Sequence, residues 1–206
     1  MLYADIGNTR AHIYNGKEVI HLTHQEAIKR YANQKLQYIT VKQQLKTKLQ
    51  SLKSWIDVSD EMVLKNSYDT MGVDRRALCL SCSNGIFVSA GSAVTVDVVE
   101  EGIYQGGFLL PGLRAYIGAY RAISPALQIE LNGDVDLNML PQITKDGISY
   151  GIIASIKMLI EKHQGTKQLY ISGGDGEFFS TFFDNAIFDE TLIFQGMKNA
   201  LKEQRC

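Results

Sequence analysis

Asp5-Ile6-Gly7-Asn8-Thr9, entered from Met1-Leu2-Tyr3-Ala4 and left through Arg10-Ala11-His12-Ile13-Tyr14, is the stretch that decides the fold. A short apolar run ends in a carboxylate, a glycine and two small polar residues, and an alternating run returns from them. Gly7 permits a tight turn and lets main-chain N–H groups come close to an anion. Thr9 offers a hydroxyl donor. Asp5 has the same sign of charge as a phosphate, so it acts there through a Mg²⁺ ion or its waters. Gly-Asn is equally a common hairpin connection. A hairpin whose turn faces a nucleotide's phosphates satisfies both readings, and this stretch alone leaves both open.

Composition narrows the classes. The 206 residues suffice for one sizeable core or two small domains. With 21 Lys and Arg against 22 Asp and Glu, the chain lacks a basic excess, and no nucleic-acid partner is expected. There is no basic leader before a long apolar stretch, and no window long enough for a membrane span, so a cytoplasmic protein without a membrane partner is expected. Three cysteines make no disulfide framework, and an odd count fits a reducing compartment. Cys79 and Cys82 form a C-x-x-C, but one pair is half of a zinc site, and its apolar helical surroundings point to buried thiols. His12, His21, His24 and His163 show no metal-ligand spacing and read as surface or strand residues.

Periodicity gives the organisation. Strands are expected at the start, over Arg10 to Tyr14, at Val19 to Leu22 and at Leu36 to Val41, with a weak helix from Glu26 to Asn33. Val41, Leu45, Leu49 and Leu52 recur on one helical face, and Gly72 to Ser83 reads as a further helix. A second set begins at Gly85: Ile86-Phe87-Val88 leads into Ser89-Ala90-Gly91-Ser92-Ala93, Val94 to Val99 returns, and Gly102 to Leu110 is a third strand. Pro111-Gly112 opens a helix with Leu113, Tyr116, Ile117, Tyr120 and Ile123 on one face. A helix over Gly147 to Glu161, a strand over Gln168 to Ser172 and a glycine-rich turn at Gly173-Gly174-Asp175-Gly176 follow. Both sets run strand, small-residue turn, strand, strand, which places a boundary at residues 84 and 85 and two domains over 1–84 and 85–206.

Taken together, five segments in order resemble the type III pantothenate kinases, a branch of the actin and sugar-kinase superfamily. They are Asp5-Ile6-Gly7-Asn8-Thr9; Gly72-Val73-Asp74-Arg75; Ala90-Gly91-Ser92-Ala93 with Thr95-Val96-Asp97; Gly106-Gly107 through Pro111-Gly112; and Ser172-Gly173-Gly174-Asp175. The resemblance spans nearly the whole chain. It implies an α/β fold of two ribonuclease-H-like, actin-like ATPase halves with an interdomain ATP cleft, and a homodimer that completes the pantothenate pocket. It also implies ATP-dependent phosphorylation of pantothenate at its primary hydroxyl, the first step towards coenzyme A. No Gly-x-x-x-x-Gly-Lys-Ser/Thr stretch is present, in keeping with a non-Walker kinase.

By that resemblance the nucleotide lies along Asp5, Ile6, Gly7, Asn8, Thr9, Arg10, Ala11 and His12 and at Ser92, with Asp5 on the Mg²⁺ side. Asp74 is the expected catalytic base, although a carboxylate in a first helical turn is also favoured by the dipole. Arg75 suits a substrate carboxylate or the transferring phosphoryl group. Tyr68, Gly72, Val73 and Thr144 complete the expected pantothenate site; Tyr68 is equally a packing residue, and Thr144 a helix N-cap. One position departs from the family. Ser89 stands where an aspartate resembles a monovalent-cation ligand, and a hydroxyl is a weaker ligand for K⁺ or NH₄⁺. Either that site is degraded, a neighbour such as Asp97 compensates, or the chain has an altered role. Two alternatives stay open: a non-catalytic family member that binds or regulates, and a kinase of the same superfamily acting on another small molecule.

Overall fold

The computed structural model describes residues 1–203, so the third cysteine, Cys206, lies outside the described residues. In chain order the first elements are β1 (Leu2–Ile6), β2 (Ala11–Tyr14), β3 (Val19–Leu22), α1 (His24–Tyr31), β4 (Leu36–Thr40), α2 (Lys46–Gln50), β5 (Trp55–Asp57) and α3 (Val73–Cys79). Then come β6 (Gly85–Ala90), β7 (Ala93–Glu100), β8 (Ile103–Pro111), α4 (Leu113–Ile123), α5 (Thr144–Gln164), β9 (Leu169–Ser172), α6 (Gly176–Ser180), β10 (Ala186–Phe188) and α7 (Leu192–Glu203). The chain divides into two compact units. The first holds Met1–Asn84, Asp97–Gly106 and the residues from Asp189 onward; the second holds Gly85–Val96 and Gly107–Phe188.

The sheet of the first unit runs β3-β2-β1-β4-β5. β2 pairs antiparallel with β1 and β4 pairs parallel with it. Alternation sorts its side chains onto two faces. Ala4, Ile6, Ala11, Ile13, Leu36 and Tyr38 face one way and pack with Ala27, Tyr31, Leu49 and Trp55. Tyr3, Tyr14 and Ile39 face the other way, into a second core built with Val73, Ala77, Phe194, Met197 and Ala200 of α3 and α7. Asp5 follows Tyr3 by two residues, so it stands on this second face, the one covered by α3. The two helices meet closely: a Cβ at Gly196 would lie 1.7 Å from the Ala77 carbonyl oxygen.

The helix expected to run from Val41 to Leu52 is broken. Lys42 has a non-helical backbone (φ −84, ψ 83), and a 3₁₀ turn at Gln43–Leu45 precedes the short α2. The cause is the strand end: Thr40 Oγ1 accepts the Lys42 N–H at 3.0 Å, and Lys42 Nζ donates to the Asn8 carbonyl at 2.8 Å. α1 starts two residues earlier than periodicity suggests because Thr23 and Glu26 form a capping box.

The sheet of the second unit runs β10-β9-β6-β7-β8. With β6 in the place of β1, this is the same order as the first sheet. β9 pairs parallel with β6, as β4 does with β1. α5 presents Ile148, Ile152, Ile153, Ile156 and Ile160 as its buried stripe and packs against β6. α4 has the apolar face that its sequence predicts, yet none of its residues is buried, and Ile123 is 73% exposed. β5 and β10, three residues each, are too short to show a period in sequence. No helix among the described residues is long and apolar enough to cross a membrane.

Candidate active site

Asp5 sits near the C-terminal end of β1, and β4 ends beside it in parallel register. Its residue keeps some exposure, but its Oδ1 is buried without a hydrogen-bond partner. Burial first, and repulsion from Asp74 second, push its pKa up to about 8. Asp74 lies in the first turn of α3, where its Oδ1 accepts the Arg75 N–H at 2.8 Å. Burial also raises the Asp74 pKa, against the opposing N–H and charge of Arg75. The backbone makes room for this carboxylate: a Cβ at Gly72 would lie 2.5 Å from Asp74 Oδ1. The site therefore holds two poorly solvated carboxylates that repel each other, one with an unpartnered oxygen. A divalent cation held by Asp5 would give that oxygen a partner and ease the repulsion, so the Asp5 carboxylate fits Mg²⁺.

Arg75 is only 6% exposed and makes a two-point bond to the fully buried Asp97, Nε to Oδ2 at 3.0 Å and Nη2 to Oδ1 at 2.6 Å. Burial pulls the guanidinium pKa down, but Asp97 and Tyr68 together raise it more, and the group stays charged. The fork that suited a substrate anion is thus taken up within the protein, because a buried Asp97 without it would be stranded. Nη1 remains, and it donates to the Tyr68 hydroxyl at 2.6 Å. Tyr68 is 46% exposed, so it carries this bond to the surface. Tyr104, with its hydroxyl 3.4 Å from Arg75 Nη2, closes the cluster from beneath. Asp97, one expected substitute for a carboxylate at position 89, is committed here.

The turn after β1 is closed by Gly7 N–H to Arg10 O at 3.0 Å. Asn8, Thr9 and Arg10 are exposed, whereas the side chains of Ile6 and Ala11 are buried in the core. Those two reach a ligand through main chain only. His12, opposite Asp5 in the β1–β2 register, lies with its Nδ1 2.6 Å from His21 Nδ1. Burial, then His21, Arg10 and His24, push the His12 pKa down to about 4, so it is neutral at physiological pH. His24 Nε2 lies 2.9 Å from the Gly7 carbonyl oxygen. Val73 faces the core of α3.

In the second unit the matching turn is closed by Gly91 N–H to Ala93 O at 3.0 Å, with Ser92 exposed at its tip. Two glycines seal it from either side. A Cβ at Gly112 would lie 2.1 Å from the Gly91 carbonyl oxygen, and one at Gly173 (φ +94) 2.4 Å from that of Ala90. Ser89 is half-buried and pairs with Ser172 in register. Thr144 is exposed and is the first residue of α5; Ile143 holds the N-cap position, so Thr144 is not a cap. The first unit thus gathers Asp5, Gly72, Asp74, Arg75 and Tyr68, while Ser92 and Thr144 belong to the second. Three participants had no signal in the sequence: Tyr104, His24 and Lys42 enter through tertiary contacts 17 to 34 residues apart along the chain.

A family model described as type III pantothenate kinase matches residues 40–164. The type III pantothenate kinase of Helicobacter hepaticus is 41% identical over 205 residues, covering 99% of this chain and 100% of that protein. The chain belongs to the type III pantothenate kinase family. A crystal structure from Campylobacter jejuni, described as a conserved putative Baf family transcriptional activator, superposes with a TM-score of 0.90 at 38% identity, covering 100% of this chain and 99% of that one. A putative 2-dehydro-3-deoxygalactonokinase from Sinorhizobium meliloti, at 9% identity and a TM-score of 0.56 over 98% of each chain, shares the fold alone. The α/β fold is likewise shared with MreB5 of Spiroplasma citri, at 9% identity and a TM-score of 0.50.

Proposed function

We propose that this chain transfers the γ-phosphoryl group of ATP to the primary hydroxyl of pantothenate, yielding 4'-phosphopantothenate and ADP, the first step towards coenzyme A. The observation that carries the reading is the full-length family match, and it is supported by the electrostatic influence of Asp74, in Gly72-Val73-Asp74-Arg75, on Asp5. Asp74 accepts the hydroxyl proton as the oxygen attacks phosphorus, and its raised pKa brings it nearer the range in which a base works at neutral pH. The Tyr68 hydroxyl, polarised by Arg75 Nη1, orients pantothenate, with Thr144 as a further contact. Asp5 would hold the Mg²⁺ that neutralises the ATP phosphates, and the main chain from Ile6 to His12 together with Ser92 would bind the nucleotide.

Two finer expectations belong to this reading. A homodimer is supported by the exposed apolar side chains of the second unit, Leu109, Ile123, Leu140 and Ile143, and by an amphipathic α4 whose apolar face, Leu113, Tyr116, Ile117 and Tyr120, is only half-buried. A K⁺ or NH₄⁺ ion near the phosphates is expected to bind weakly, because Ser89 offers a hydroxyl in place of a carboxylate.

Pantothenate-dependent ADP release, with mass detection of phosphopantothenate, tests the function. ADP release that is indifferent to pantothenate overturns it. A regulatory, non-catalytic role draws on Ser89 and on the activator name carried by the Campylobacter jejuni structure. Turnover of pantothenate dismisses that role, and turnover of another alcohol substrate in its place points to a different kinase of the superfamily.

A further inference from the structure

The loop that leads into α3 is fastened to the start of β8 by two hydrogen bonds. The Tyr104 N–H donates to the Lys65 carbonyl at 3.0 Å, and Asn66 Nδ2 donates to the Tyr104 carbonyl at 2.8 Å. Residues 65 and 66 thus meet both main-chain groups of Tyr104, as a neighbouring strand would, and Lys65 and Ile103 form an isolated parallel bridge. Asn66 makes its bond from a left-handed backbone, with φ +66. The Ser67 N–H returns to the Leu64 carbonyl at 3.1 Å, so Asn66 is the third residue of a turn, a place where positive φ favours Gly or Asn. A second turn follows, closed by the Met71 N–H on the Tyr68 carbonyl at 3.0 Å, and the buried side chains of Leu64 and Met71 pin the two ends of the loop.

Tyr68 stands between those ends. Its hydroxyl lies 2.6 Å from Arg75 Nη1, and its ring centroid lies 6.1 Å from that of Tyr104. Arg75 is fixed by Asp97 whatever the loop does. Tyr68, 46% exposed, has no such anchorage in the core, so its position follows the backbone that carries it. Tyr104 connects the two: its carbonyl holds the loop through Asn66, and its hydroxyl lies 3.4 Å from Arg75 Nη2. Asn66 is itself exposed and adds little to the core. Its side chain ties the loop to β8 two residues ahead of the tyrosine.

We propose that Asn66 is a positioning residue for the substrate: by latching the 64–71 loop to the Tyr104 carbonyl, it holds the Tyr68 hydroxyl on Arg75 Nη1, ready to orient the substrate. The inference rests on the reading of Tyr68 as a pantothenate contact. Without the latch the loop is ordered only when substrate binds, and that ordering weakens binding.

The test is steady-state kinetics of the full chain, with pantothenate and ATP varied separately, and the melting temperature of each protein. The proteins are the natural chain, Asn66→Gly, Asn66→Asp, Tyr68→Phe and the double variant Asn66→Gly with Tyr68→Phe. Asn66→Gly tolerates the left-handed backbone and removes only the latch. It is expected to raise KM for pantothenate about three- to tenfold, the size of one net hydrogen bond, with kcat, KM for ATP and the melting temperature nearly unchanged. Asn66→Asp keeps the shape but sets an acceptor against the Tyr104 carbonyl, and should raise that KM at least as much. Because Asn66 acts through Tyr68, the double variant should be no worse than Tyr68→Phe alone. An unchanged KM for pantothenate in both Asn66 variants overturns the proposal. So does a KM for ATP that rises in step, or losses that add in the double variant. A lowered melting temperature with both KM values unchanged marks a purely structural residue and overturns it too. A natural chain that does not turn over pantothenate overturns the proposed function and this inference together, whereas turnover indifferent to Asn66→Gly overturns the inference alone.

Discussion

The two halves of this protein build the same strand–turn–strand unit in different materials. Their sheets share one strand order, and Asp5-Ile6-Gly7 at the end of β1 corresponds to Ser89-Ala90-Gly91 at the end of β6. The first turn is held by side chains, Lys42 and His24 reaching its carbonyls from 34 and 17 residues away. The second is held by main chain: Gly112 and Gly173 pack their Cα atoms onto the carbonyls of Gly91 and Ala90. The first turn also carries a carboxylate with an unpartnered oxygen, and the second carries a hydroxyl in its place. The Lys42 clamp brings a charge to the first turn, while close backbone packing only fixes the shape of the second. The unpartnered Asp5 oxygen and the buried Arg75–Asp97 pair thus both lie in the first unit, although the two sheets share one strand order.

The sharpest way to break this comparison is catalytic. Asp74→Asn is expected to leave the melting temperature nearly unchanged and to lower turnover by about a hundredfold or more, the usual size of a general-base contribution. Ser92→Ala, on the second turn, loses one neutral hydrogen bond and should cost at most about tenfold. Steady-state kinetics on both variants check it, and equal losses would erase the asymmetry.

Stability gives the reverse ranking. Gly112→Ala forces a methyl to within 2.1 Å of a carbonyl oxygen, whereas a Cβ at Gly7 meets its nearest atom, the Arg10 oxygen, at 3.4 Å. Overpacking of this kind costs about 1–3 kcal/mol, so urea denaturation should find Gly112→Ala clearly weaker than Gly7→Ala. Similar midpoints would mean that the second turn yields as easily as the first.

A smaller effect is expected from pH. The Asp5 pKa is raised from its ordinary 3.8 to about 8, so the folded chain keeps a proton there that the unfolded chain gives up. Its contribution is complete below about pH 4 and is lost as pH rises through about 8. With EDTA present, the melting temperature of the natural chain should fall by several degrees between pH 5 and pH 8, on the order expected for a few kcal/mol in a chain this size. Mg²⁺ should recover part of the loss at pH 8. Asp5→Asn removes the titration, and a profile unchanged by that substitution would show that burial of Asp5 does not govern it.

The smallest effect concerns the departure at Ser89. Ser89→Asp makes the two strand ends chemically alike and should lower the KCl concentration needed for half-maximal ADP release, at fixed ionic strength. Coincident K⁺ curves would show that position 89 is no cation ligand.

Much of this was legible in the chain itself. The alternation of Leu2 to Ile6 and Ala11 to Tyr14, and the return of the same pattern at Gly85, are local signals that survive folding because burial of one sheet face imposes a period of two. Thr144 was misplaced as a possible N-cap because Ile143 and the preceding loop set where α5 begins. The continuous helix expected from Val41 was wrong because Leu45, Leu49 and Leu52 pack on one core while Lys42 is drawn to the turn. A helical period cannot register a strand end that competes for the same residues.

Readable from the sequence alone are a carboxylate before a glycine turn, a second carboxylate before an arginine, and two repeats of one unit, because each motif lies within a few consecutive residues. What only the tertiary structure decided is the wiring between them. Arg75 faces Asp97 rather than solvent, Asp5 keeps an unsatisfied oxygen, and Lys42 rests on the turn. Each of these is set by side chains 22 to 69 residues apart in sequence, whose meeting depends on which sheet face and which helix turn they occupy once the core has closed.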